Sequence, residues 1–306
     1  MNKLAPIVLF VYDRLWHTQE TIKALQKNEL ASESELFIYA DGAKNDKIIP
    51  QIKEVQNYIK TIDGFKKVTI VERQKNFGLA YSIVSGVTKT VNKFGKVIVL
   101  EDDIVTSPYF LKFMNDALTF YENEDKVWHI SGWNYPIDLT SDNDVYLYRV
   151  MECWGWATWK NNWHYYEKNT KKLTKEFSKN DIRRFNLDGT YNAWLQVKLN
   201  KYRYMNTWAI YWYAAIFKKN GLCVSPIKSF VKNIGLDGSG QNCKDSSYKD
   251  NEILNSKRNI TFIIDMCEDN DIVKQIKPYL KTVNKGVVVK IINKLTRVIF
   301  KRNLIK

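Results

Sequence analysis

The feature that most limits the fold of this 306-residue chain is an alternation of short apolar runs and helix-spaced apolar stripes over its first 121 residues. Residues 6–12 form a continuous apolar run, which is typical of a strand buried on both faces of a parallel sheet. Further runs follow at 36–40, 68–71 and 97–100, and helices are predicted at 18–27, 48–59, 80–91 and 111–121. Strands that alternate with helices form βαβ crossovers, so the sequence predicts an α/β fold with a mostly parallel sheet.

The pattern changes after about residue 125, where the strand–helix alternation stops. Nine of the ten tryptophans lie between Trp128 and Trp212. We therefore expect a first half at 1–125, an irregular Trp-rich half at 126–260 and an extension at 261–306. A hydrophobic content of 45% with 26% charged residues fits a folded globular protein and excludes a disordered or fibrous chain.

No stretch of 18 apolar residues free of charge occurs, so no membrane-spanning helix is expected. The N-terminal apolar run is seven residues long with no small-residue cleavage site behind it, so we interpret it as a strand rather than a secretion signal. The four cysteines form no CxxC pair, and we expect reduced, buried thiols in a cytosolic protein. They are Cys153, Cys223, Cys243 and Cys267.

The formal net charge is +14, and much of it lies at the C-terminal end, where residues 281–306 hold eight basic residues and no acidic one. A nucleic-acid-binding protein more often spreads its basic residues over a folded face, so no nucleic-acid partner is expected. From Val287 the apolar residues recur at helical spacing, with Lys and Arg mostly on the other side. This pattern predicts a basic amphipathic helix that binds an anionic membrane surface. The alternative is a terminal helix docked on the domain.

Polar residues follow each predicted strand, at the edge where ligands of open parallel sheets bind. They are Asp13 and Arg14 after the first strand, Asp41 and Gly42 after the second, Glu72, Arg73, Asn76 and Gly78 after the third, and Glu101, Asp102 and Asp103 after the fourth. The three adjacent acids repel one another, and a divalent cation such as Mg²⁺ or Mn²⁺ would offset that repulsion while holding a phosphate. The alternative for Asp103 is a role at the start of the following helix.

Taken in order, these segments and several later ones resemble the GT-A fold of nucleotide-sugar glycosyltransferases. The resemblance is close to bacterial family 2 sugar transferases and to the N-acetylglucosaminyltransferase I group, and it covers residues 5–243. The matching segments are Tyr12–Arg14, Ala40–Gly42, Arg73 with Asn76–Gly78, Val99–Asp103, Ser107–Phe110, Ile130–Asn134, Trp154–Trp156 and Lys232–Gly240. The resemblance implies a Rossmann-like sheet with flanking helices, a UDP-linked sugar donor and Mn²⁺ or Mg²⁺.

Donor-site roles carry over from the resemblance residue by residue. Asp41 matches the acidic residue that contacts the uracil or ribose, and Arg14 matches a basic residue near the diphosphate. Asp103 matches the direct metal ligand, with Asp102 near the ribose and Glu101 near the donor sugar. The same donor-binding pattern includes Tyr12, Arg73, Asn76 and Gly78. The alternative for Asp41 is a turn residue before a glycine.

The general base departs from the family pattern. In the N-acetylglucosaminyltransferase I group an Asp beside a Trp serves as the base, but the two stretches that could correspond, 191–194 and 208–212, hold no acidic residue. The remaining candidates are Glu152, Asp188 and Asp237, which the sequence does not rank. Asp188 precedes a glycine and also fits a turn, and Asp237 lies in a Gly-rich segment that fits a mobile lid.

Aromatic residues of the second half are expected to bind the acceptor, because aromatic rings suit the apolar C–H faces of sugars. The residues that resemble the family here are Trp133, Trp154, Gly155 and Trp156. The alternative for these tryptophans is a Trp-rich core. Of the histidines, we interpret His17 and His129 as structural.

The sequence therefore predicts a metal-dependent, inverting glycosyltransferase that moves a sugar to a hydroxyl of a glycan or polyprenyl-linked acceptor in cell-surface polysaccharide synthesis. We expect it in the cytoplasm, attached to the inner face of the membrane. Two alternatives stay open. One is a sugar-phosphate nucleotidyltransferase, whose usual Gly-rich N-terminal loop is missing here, and the other is a carbohydrate-binding protein with a decayed site.

Overall fold

The computed structural model of the chain describes residues 3–239 and 253–282, which fall into two compact units. Within the described residues the first unit takes in 3–136, 141–168, 207–239 and 253–268, and the second takes in 137–140, 169–206 and 269–282. The predicted boundaries at residues 125 and 260 divide the chain by the ligand that each part binds. These boundaries stay predictions.

The first unit holds an eight-stranded mixed sheet and a two-stranded ribbon among its described residues. The strands are β1 (Ile7–Val11), β2 (Glu35–Ala40), β3 (Lys67–Glu72), β4 (Lys96–Glu101), β5 (Ile104–Thr106), β6 (Val127–Ser131), β7 (Val145–Tyr148), β8 (Trp156–Trp159), β9 (Leu222–Pro226) and β10 (Val231–Asn233). The order in the sheet is β3-β2-β1-β4-β8-β6-β9-β7, and β5 pairs antiparallel with β10. Strands β3, β2, β1 and β4 are parallel, whereas β8 and β7 run antiparallel to their neighbours.

Helices flank this sheet and build the second unit. They are α1 (Leu15–Gln26), α2 (Ile49–Ile59), α3 (Leu79–Phe94), α4 (Phe110–Phe120), α5 (Lys160–Trp163), α6 (Thr170–Glu176), α7 (Lys179–Phe185), α8 (Ala193–Lys201), α9 (Ala209–Lys218) and a further helix over 270–282. Short 3-10 turns lie at Ala31–Glu33, Asp46–Ile48 and Ile234–Asp237.

The predicted α/β fold is confirmed, and the first half follows the sequence pattern closely. All five residues of β1 are buried, as a central parallel strand requires. Helix α3 buries Ile83, Val87 and Val91 along one stripe and ends at Gly95, whose φ of 83° places it in the left-handed conformation that commonly terminates helices. Each predicted strand and helix of this half lies within a few residues of its observed bounds.

The expected irregularity of the Trp-rich half is wrong for the sheet itself, because β6, β8 and β9 continue it. Strand β8 joins the two halves by pairing antiparallel with both β4 and β6. These strands are four or five residues long and carry Trp, His, Ser and Thr among their apolar residues, so no continuous apolar run marks them in the sequence.

The second unit packs three short helices around an aromatic cluster. The rings of Phe177 and Trp194 stack with centroids 4.9 Å apart, and Phe185 meets Trp194 edge-on at 5.8 Å. Helix α7 begins with a capping box in which Ser178 and Asp181 each bond the other's backbone N–H.

The thiols only partly follow the prediction of burial. Cys223 is buried, Cys153 is half-buried and Cys267 is exposed. Cys243 and the predicted amphipathic helix from Val287 lie outside the described residues. None of the helices that the structure describes combines the length and apolar character needed to cross a membrane.

The strand order locates a crevice for a ligand. Strands β2 and β3 extend the sheet on one side of β1, whereas β4 lies on the other side. In open α/β sheets, such a reversal opens a crevice at the carboxyl ends of the two central strands. Here those ends carry Arg14 after β1 and Asp102 and Asp103 after β4.

Candidate active site

Arg14 and the two aspartates after β4 form a compact ion cluster in this crevice. One guanidinium nitrogen, Nη2, donates hydrogen bonds to Asp102 Oδ1 and, at 2.7 Å, to Asp103 Oδ2. The Arg14 side chain is only 18% exposed. The predicted mutual repulsion of the acids is therefore offset in part by the chain's own cation, and charge repulsion alone does not require a metal.

Burial changes the pKa values of two of these acids. Desolvation raises the pKa of Glu101 to about 8, and the neighbouring Asp103 and Asp102 charges act in the same direction. Desolvation likewise raises the pKa of Asp102 to about 7, although the adjacent Arg14 acts against it. A cation placed in this crevice would lower both pKa values.

Asp103 is the residue that fits a metal ion. Its Oδ2 is held by Arg14, whereas its Oδ1 has no hydrogen-bond partner within residues 3–239 and 253–282, and the side chain is 14% exposed. In that same part of the chain, no group of three or more His, Cys, Asp or Glu side chains is arranged to hold a metal. The site therefore fits Mg²⁺ or Mn²⁺ only as an ion that takes most of its ligands from phosphate and water, which is a common arrangement for Mg²⁺.

A glycine closes the cluster from the other side. A Cβ atom added at Gly235 would lie 2.2 Å from Asp103 Oδ2 and 2.7 Å from Arg14 Nη1, so only glycine fits against these side chains. The β5–β10 ribbon brings this backbone in, since Asn233 pairs with Ile104. Beneath it, Arg14 Nη1 is buried without a hydrogen-bond partner among the described residues.

Asp41, at the end of β2, holds the loop that follows β3. Its carboxylate accepts hydrogen bonds from the backbone N–H groups of Gly42 (3.1 Å), Phe77 (3.0 Å) and Gly78 (2.8 Å) and from Asn76 Nδ2 (3.2 Å). A carboxylate offers about four acceptor positions. Asp41 therefore organises the loop, and its lone pairs are already engaged, which favours a structural role over direct contact with a base or ribose.

The same loop explains two other donor-site predictions, Arg73 and Gly78, and the glycine that follows Asp41. Gly42 is required by close approach, because a Cβ there would lie 2.6 Å from the carbonyl carbon of Lys75. Gly78 has a φ of 79°, which favours glycine just before α3. Arg73 points inward, and its guanidinium donates to Ser82 Oγ at 2.6 Å and Ser85 Oγ at 2.8 Å.

Tyr12 lies beside this loop at the end of β1. Its hydroxyl accepts a hydrogen bond of 3.2 Å from the Lys44 N–H, and burial raises its pKa. The structure therefore gathers Tyr12 and Asp41, together with the loop after β3, along one edge of the sheet, as the sequence predicts.

Glu152 lies in a pocket of tyrosines. Its Oε1 accepts hydrogen bonds from Tyr135 at 2.5 Å and from Tyr148 at 3.3 Å, and the residue stays partly exposed. Its Oε2 has no partner in the described part of the chain. Burial raises the pKa of Glu152 to about 7, while the two tyrosine hydrogen bonds act in the opposite direction.

His129 supports the same pocket. Its Nε2 donates to the backbone oxygen of Glu152 at 2.9 Å, and its Nδ1 accepts from Trp212 Nε1 at 3.2 Å. Burial lowers the pKa of His129 to about 3, so the ring is neutral, and its interpretation as structural agrees with these contacts.

The other two base candidates are already engaged. Asp237 accepts hydrogen bonds from Ser239, which lower its pKa, and its Oδ2 lies 3.1 Å from His17 Nε2. Asp188, in the second unit, pairs with Lys277 at 3.0 Å and has a φ of 58° in the turn that precedes Gly189. The turn interpretation of Asp188 agrees with this geometry.

The tryptophans expected to stack on sugar are mostly core residues. Trp133 and Trp156 are each 1% exposed, so the expectation that their rings face an acceptor is wrong, and the alternative of a Trp-rich core describes them. Trp154 remains half-buried and packs edge-on against Trp133 with ring centroids 4.8 Å apart. Gly155 has a φ of 60° and lies close to Val231.

Sequence reasoning missed several residues of this site. Gly235 lies in the matching segment Lys232–Gly240, but its contact with Arg14 and Asp103 is not visible in the sequence. The two tyrosines at Glu152 carry no local motif, because their roles depend on contacts with distant segments.

Comparisons with known proteins identify what the chain is similar to. The model of the GNT-I family matches residues 1–184, about three fifths of the chain. A search of the curated proteins finds no match. Among solved structures, the chain is similar to a mannosyltransferase from Pyrobaculum calidifontis in complex with GDP-Man and Mn²⁺, with 10% identity, a TM-score of 0.40, and coverage of 72% of this chain and 70% of that one. It is also similar to S. aureus TarS 1-349, with 9% identity, a TM-score of 0.42, and coverage of 74% and 59%.

The role of Asp41 can be tested by replacing it with Asn. An amide cannot accept hydrogen bonds at both terminal atoms, so Asp41→Asn should cost about 1–3 kcal/mol of unfolding free energy and loosen the loop. Hydrogen exchange at the Phe77 and Gly78 amides should accelerate, while exchange in β1 stays slow. Asp46→Asn, at an exposed position nearby, is the matched control. Unchanged protection of the two amides would show that Asp41 does not hold the loop.

Proposed function

The chain belongs to the GNT-I family and is a glycosyltransferase that uses a nucleotide-sugar donor, and from that premise we propose a metal-dependent, inverting transfer from a UDP-linked sugar. The acceptor is a hydroxyl of a glycan or polyprenyl-linked glycolipid in cell-surface polysaccharide synthesis. The observation that carries the proposal is the cluster of Arg14, Asp102 and Asp103 at the strand-order reversal.

Arg14 supplies the positive charge for the donor diphosphate. Its Nη2 is engaged by the two aspartates, but its Nη1 is a buried donor with no partner among the described residues. Leaving such a donor unsatisfied is costly, and a phosphate oxygen is a strong acceptor for it. Arg14 thus binds the leaving group and stabilises the negative charge that develops there as the glycosidic bond breaks.

Asp103 is the residue that would hold Mn²⁺ or Mg²⁺, through the carboxylate oxygen that Arg14 leaves open. A bound divalent ion neutralises charge on the diphosphate of the substrate. Asp102, which shares the same guanidinium nitrogen, keeps Arg14 oriented toward the crevice.

Glu152 is the general base of the proposed reaction. A base works best when its pKa lies near the working pH, and the pKa of Glu152 is raised to about 7. Tyr135 and Tyr148 fix one carboxylate oxygen, which leaves Oε2 to accept the proton of the acceptor hydroxyl. The deprotonated hydroxyl then attacks the anomeric carbon opposite the departing diphosphate, so the configuration inverts.

The donor half of the proposal predicts the effect of Asp103→Ala. Loss of this carboxylate should lower the rate of UDP-sugar turnover by about 100-fold or more, because even outer-shell changes at metal sites cost 10- to 100-fold. The assay measures UDP release with Mn²⁺ present, and Asp125→Ala at an exposed position serves as the control. Near-normal turnover in the Asp103 variant would remove the metal assignment.

The proposed role of Glu152 as the general base predicts the effect of Glu152→Gln on activity. Transfer should fall by about 100-fold or more, since a positioned general base contributes 10²–10⁴-fold. In the wild type the rate should rise with pH through about 7 as Glu152 loses its proton. Tyr135→Phe removes a hydrogen bond that lowers this pKa and should shift the profile to higher pH.

Stability provides an independent readout of the same group. Because the pKa of Glu152 is raised from 4.5 to about 7, its contribution to stability is present below pH 4.5 and is lost as the pH rises through 7. Gln does not ionise, so Glu152→Gln should be more stable than wild type at pH 8 by about 1–3 kcal/mol. Exposed Glu122→Gln is the control. A variant with full activity and unchanged stability at pH 8 would contradict the assignment.

We further propose that the protein works in the cytoplasm, attached peripherally to the inner face of the membrane through its basic end. Residues 281–306 carry eight basic residues and no acidic one, which suits an anionic surface. Deleting residues 284–306 should move the protein from the membrane fraction to the soluble fraction on cell fractionation. An unchanged distribution would exclude this mode of attachment.

A further inference from the structure

The positive charge of the described chain is concentrated in the second unit. Its described residues include twelve basic and six acidic ones, a formal charge of +6, whereas the much longer described part of the first unit has 26 and 24, a charge of +2. Nine of the twelve basic residues lie between residues 169 and 206, and all nine are exposed. They are Lys171, Lys172, Lys175, Lys179, Arg183, Arg184, Lys198, Lys201 and Arg203.

The acidic residues of the same segment do little to offset this charge at the surface. Asp181 forms the capping box with Ser178, and Asp188 pairs with Lys277 at 3.0 Å. Salt screens single exposed charges, but nine charges of one sign within a short segment sum to a field that extends over the surface. The second unit therefore attracts anionic partners.

Two exposed tyrosines lie within this basic region, where helix α8 ends. Tyr202 is 64% exposed and Tyr204 is 82% exposed. They alternate with Lys201 and Arg203, which are exposed as well, and Lys201 Nζ lies 5.8 Å from the ring centroid of Tyr202. We call the four residues Lys201–Tyr204 the α8 turn. It presents aromatic and cationic side chains together to the solvent.

The backbone of the α8 turn has a conformation that is costly for its sequence. Arg203 has a φ of 61°, in the left-handed region that favours glycine. Its N–H donates to the Asn200 carbonyl at 3.1 Å, and the Tyr204 N–H donates to the Leu199 carbonyl at 2.9 Å, which is the pattern of a Schellman cap. The last residue of such a cap often packs against the helix, but Tyr204 is largely exposed. A strained residue that brings no packing in return indicates a functional use of the turn.

The combination of side chains in the α8 turn indicates the kind of partner. Tyrosine is enriched at the headgroup level of membranes, where its ring meets the acyl chains and its hydroxyl stays hydrated. Each Lys or Arg near an anionic leaflet adds to the binding. A soluble polyanion without apolar groups would use the charges and leave both tyrosines in water. A lipid surface with anionic headgroups accounts for both features.

We propose that the second unit binds an anionic membrane surface through the α8 turn, with Tyr202 and Tyr204 inserted among the headgroups. The interaction does not use residues 281–306, whose attachment to the membrane is proposed separately. It goes beyond the proposed function and does not depend on the donor site. A glycosyltransferase with a polyprenyl-linked acceptor would gain from it by staying at the surface that holds the acceptor.

The test measures co-sedimentation of the full-length chain with lipid vesicles. The vesicles are phosphatidylcholine alone or phosphatidylcholine with about one third phosphatidylglycerol, and only the anionic ones should bind tightly. The double variant Tyr202→Ser, Tyr204→Ser should bind them about tenfold more weakly, because it loses two partly buried rings. Arg203→Gly should bind about fivefold more weakly, which is the effect of one basic residue near such a surface. Its melting temperature should not fall, because glycine relieves the strain.

The controls are Ile264→Ser, at a residue of the first unit that is 83% exposed, and Lys53→Gln, at an exposed position on α2. Both should leave vesicle binding unchanged. Unchanged binding in the tyrosine and Arg203 variants would overturn the proposal. Inorganic polyphosphate is the soluble polyanion, and the tyrosine variant should bind it as the wild type does. An equal loss of polyphosphate binding would identify a soluble polyanion as the partner and exclude the membrane.

Turnover of a UDP-sugar, measured without vesicles, tests the proposed function separately, so either proposal can fail alone. Loss of vesicle binding with normal turnover in the tyrosine variant would support a binding surface that is distinct from the donor site. A loss of turnover in that variant without vesicles would contradict this separation and overturn the assignment of the α8 turn to the membrane alone.

Discussion

The contact between one guanidinium and two aspartates determines what the crevice of this protein can bind. Three consecutive acids at the end of a buried strand would be unstable without compensation, and Arg14 supplies it from the neighbouring strand. One cation does not balance three carboxyl groups, and desolvation, together with the neighbouring aspartate charges, raises the pKa of Glu101 and of Asp102. This charge balance is the physical basis of the proposal that a diphosphate binds here together with a divalent ion.

The same edge of the sheet contains a carboxylate that organises a loop. The carboxylate of Asp41 accepts hydrogen bonds from the backbone N–H groups of Phe77 and Gly78, which are more than thirty residues away in the sequence. These hydrogen bonds fix the loop that carries both residues. A motif that places an acid after a strand does not distinguish such a loop organiser from a ligand-binding group. The difference lies in which donors surround the carboxylate, and those donors come from another part of the chain.

Prediction from the sequence succeeds where a local pattern determines the structure. Continuous apolar runs mark β1 to β4, and these strands place Arg14 and Asp103 at one crevice without further information. Strands β6 and β8 are not predicted from the sequence, because their buried residues include Trp, His and Thr side chains that pack only in the tertiary structure. For the same reason, the sequence does not show whether Trp133 and Trp156 belong to the core or to a sugar-binding surface. In the structure both are buried.

The choice among the three base candidates likewise depends on environment rather than on residue type. Asp237 is surrounded by donors that stabilise its charge, so its pKa falls, and it holds a proton poorly at neutral pH. Glu152 lies among tyrosine rings and buried apolar groups, so desolvation outweighs its two hydrogen bonds and its pKa rises to about 7. Carboxyl groups whose pKa values are driven apart in this way take different roles in one protein. The proposal that Glu152 is the base rests on this tyrosine pocket, since the two stretches that could correspond to the family's base position hold no acid.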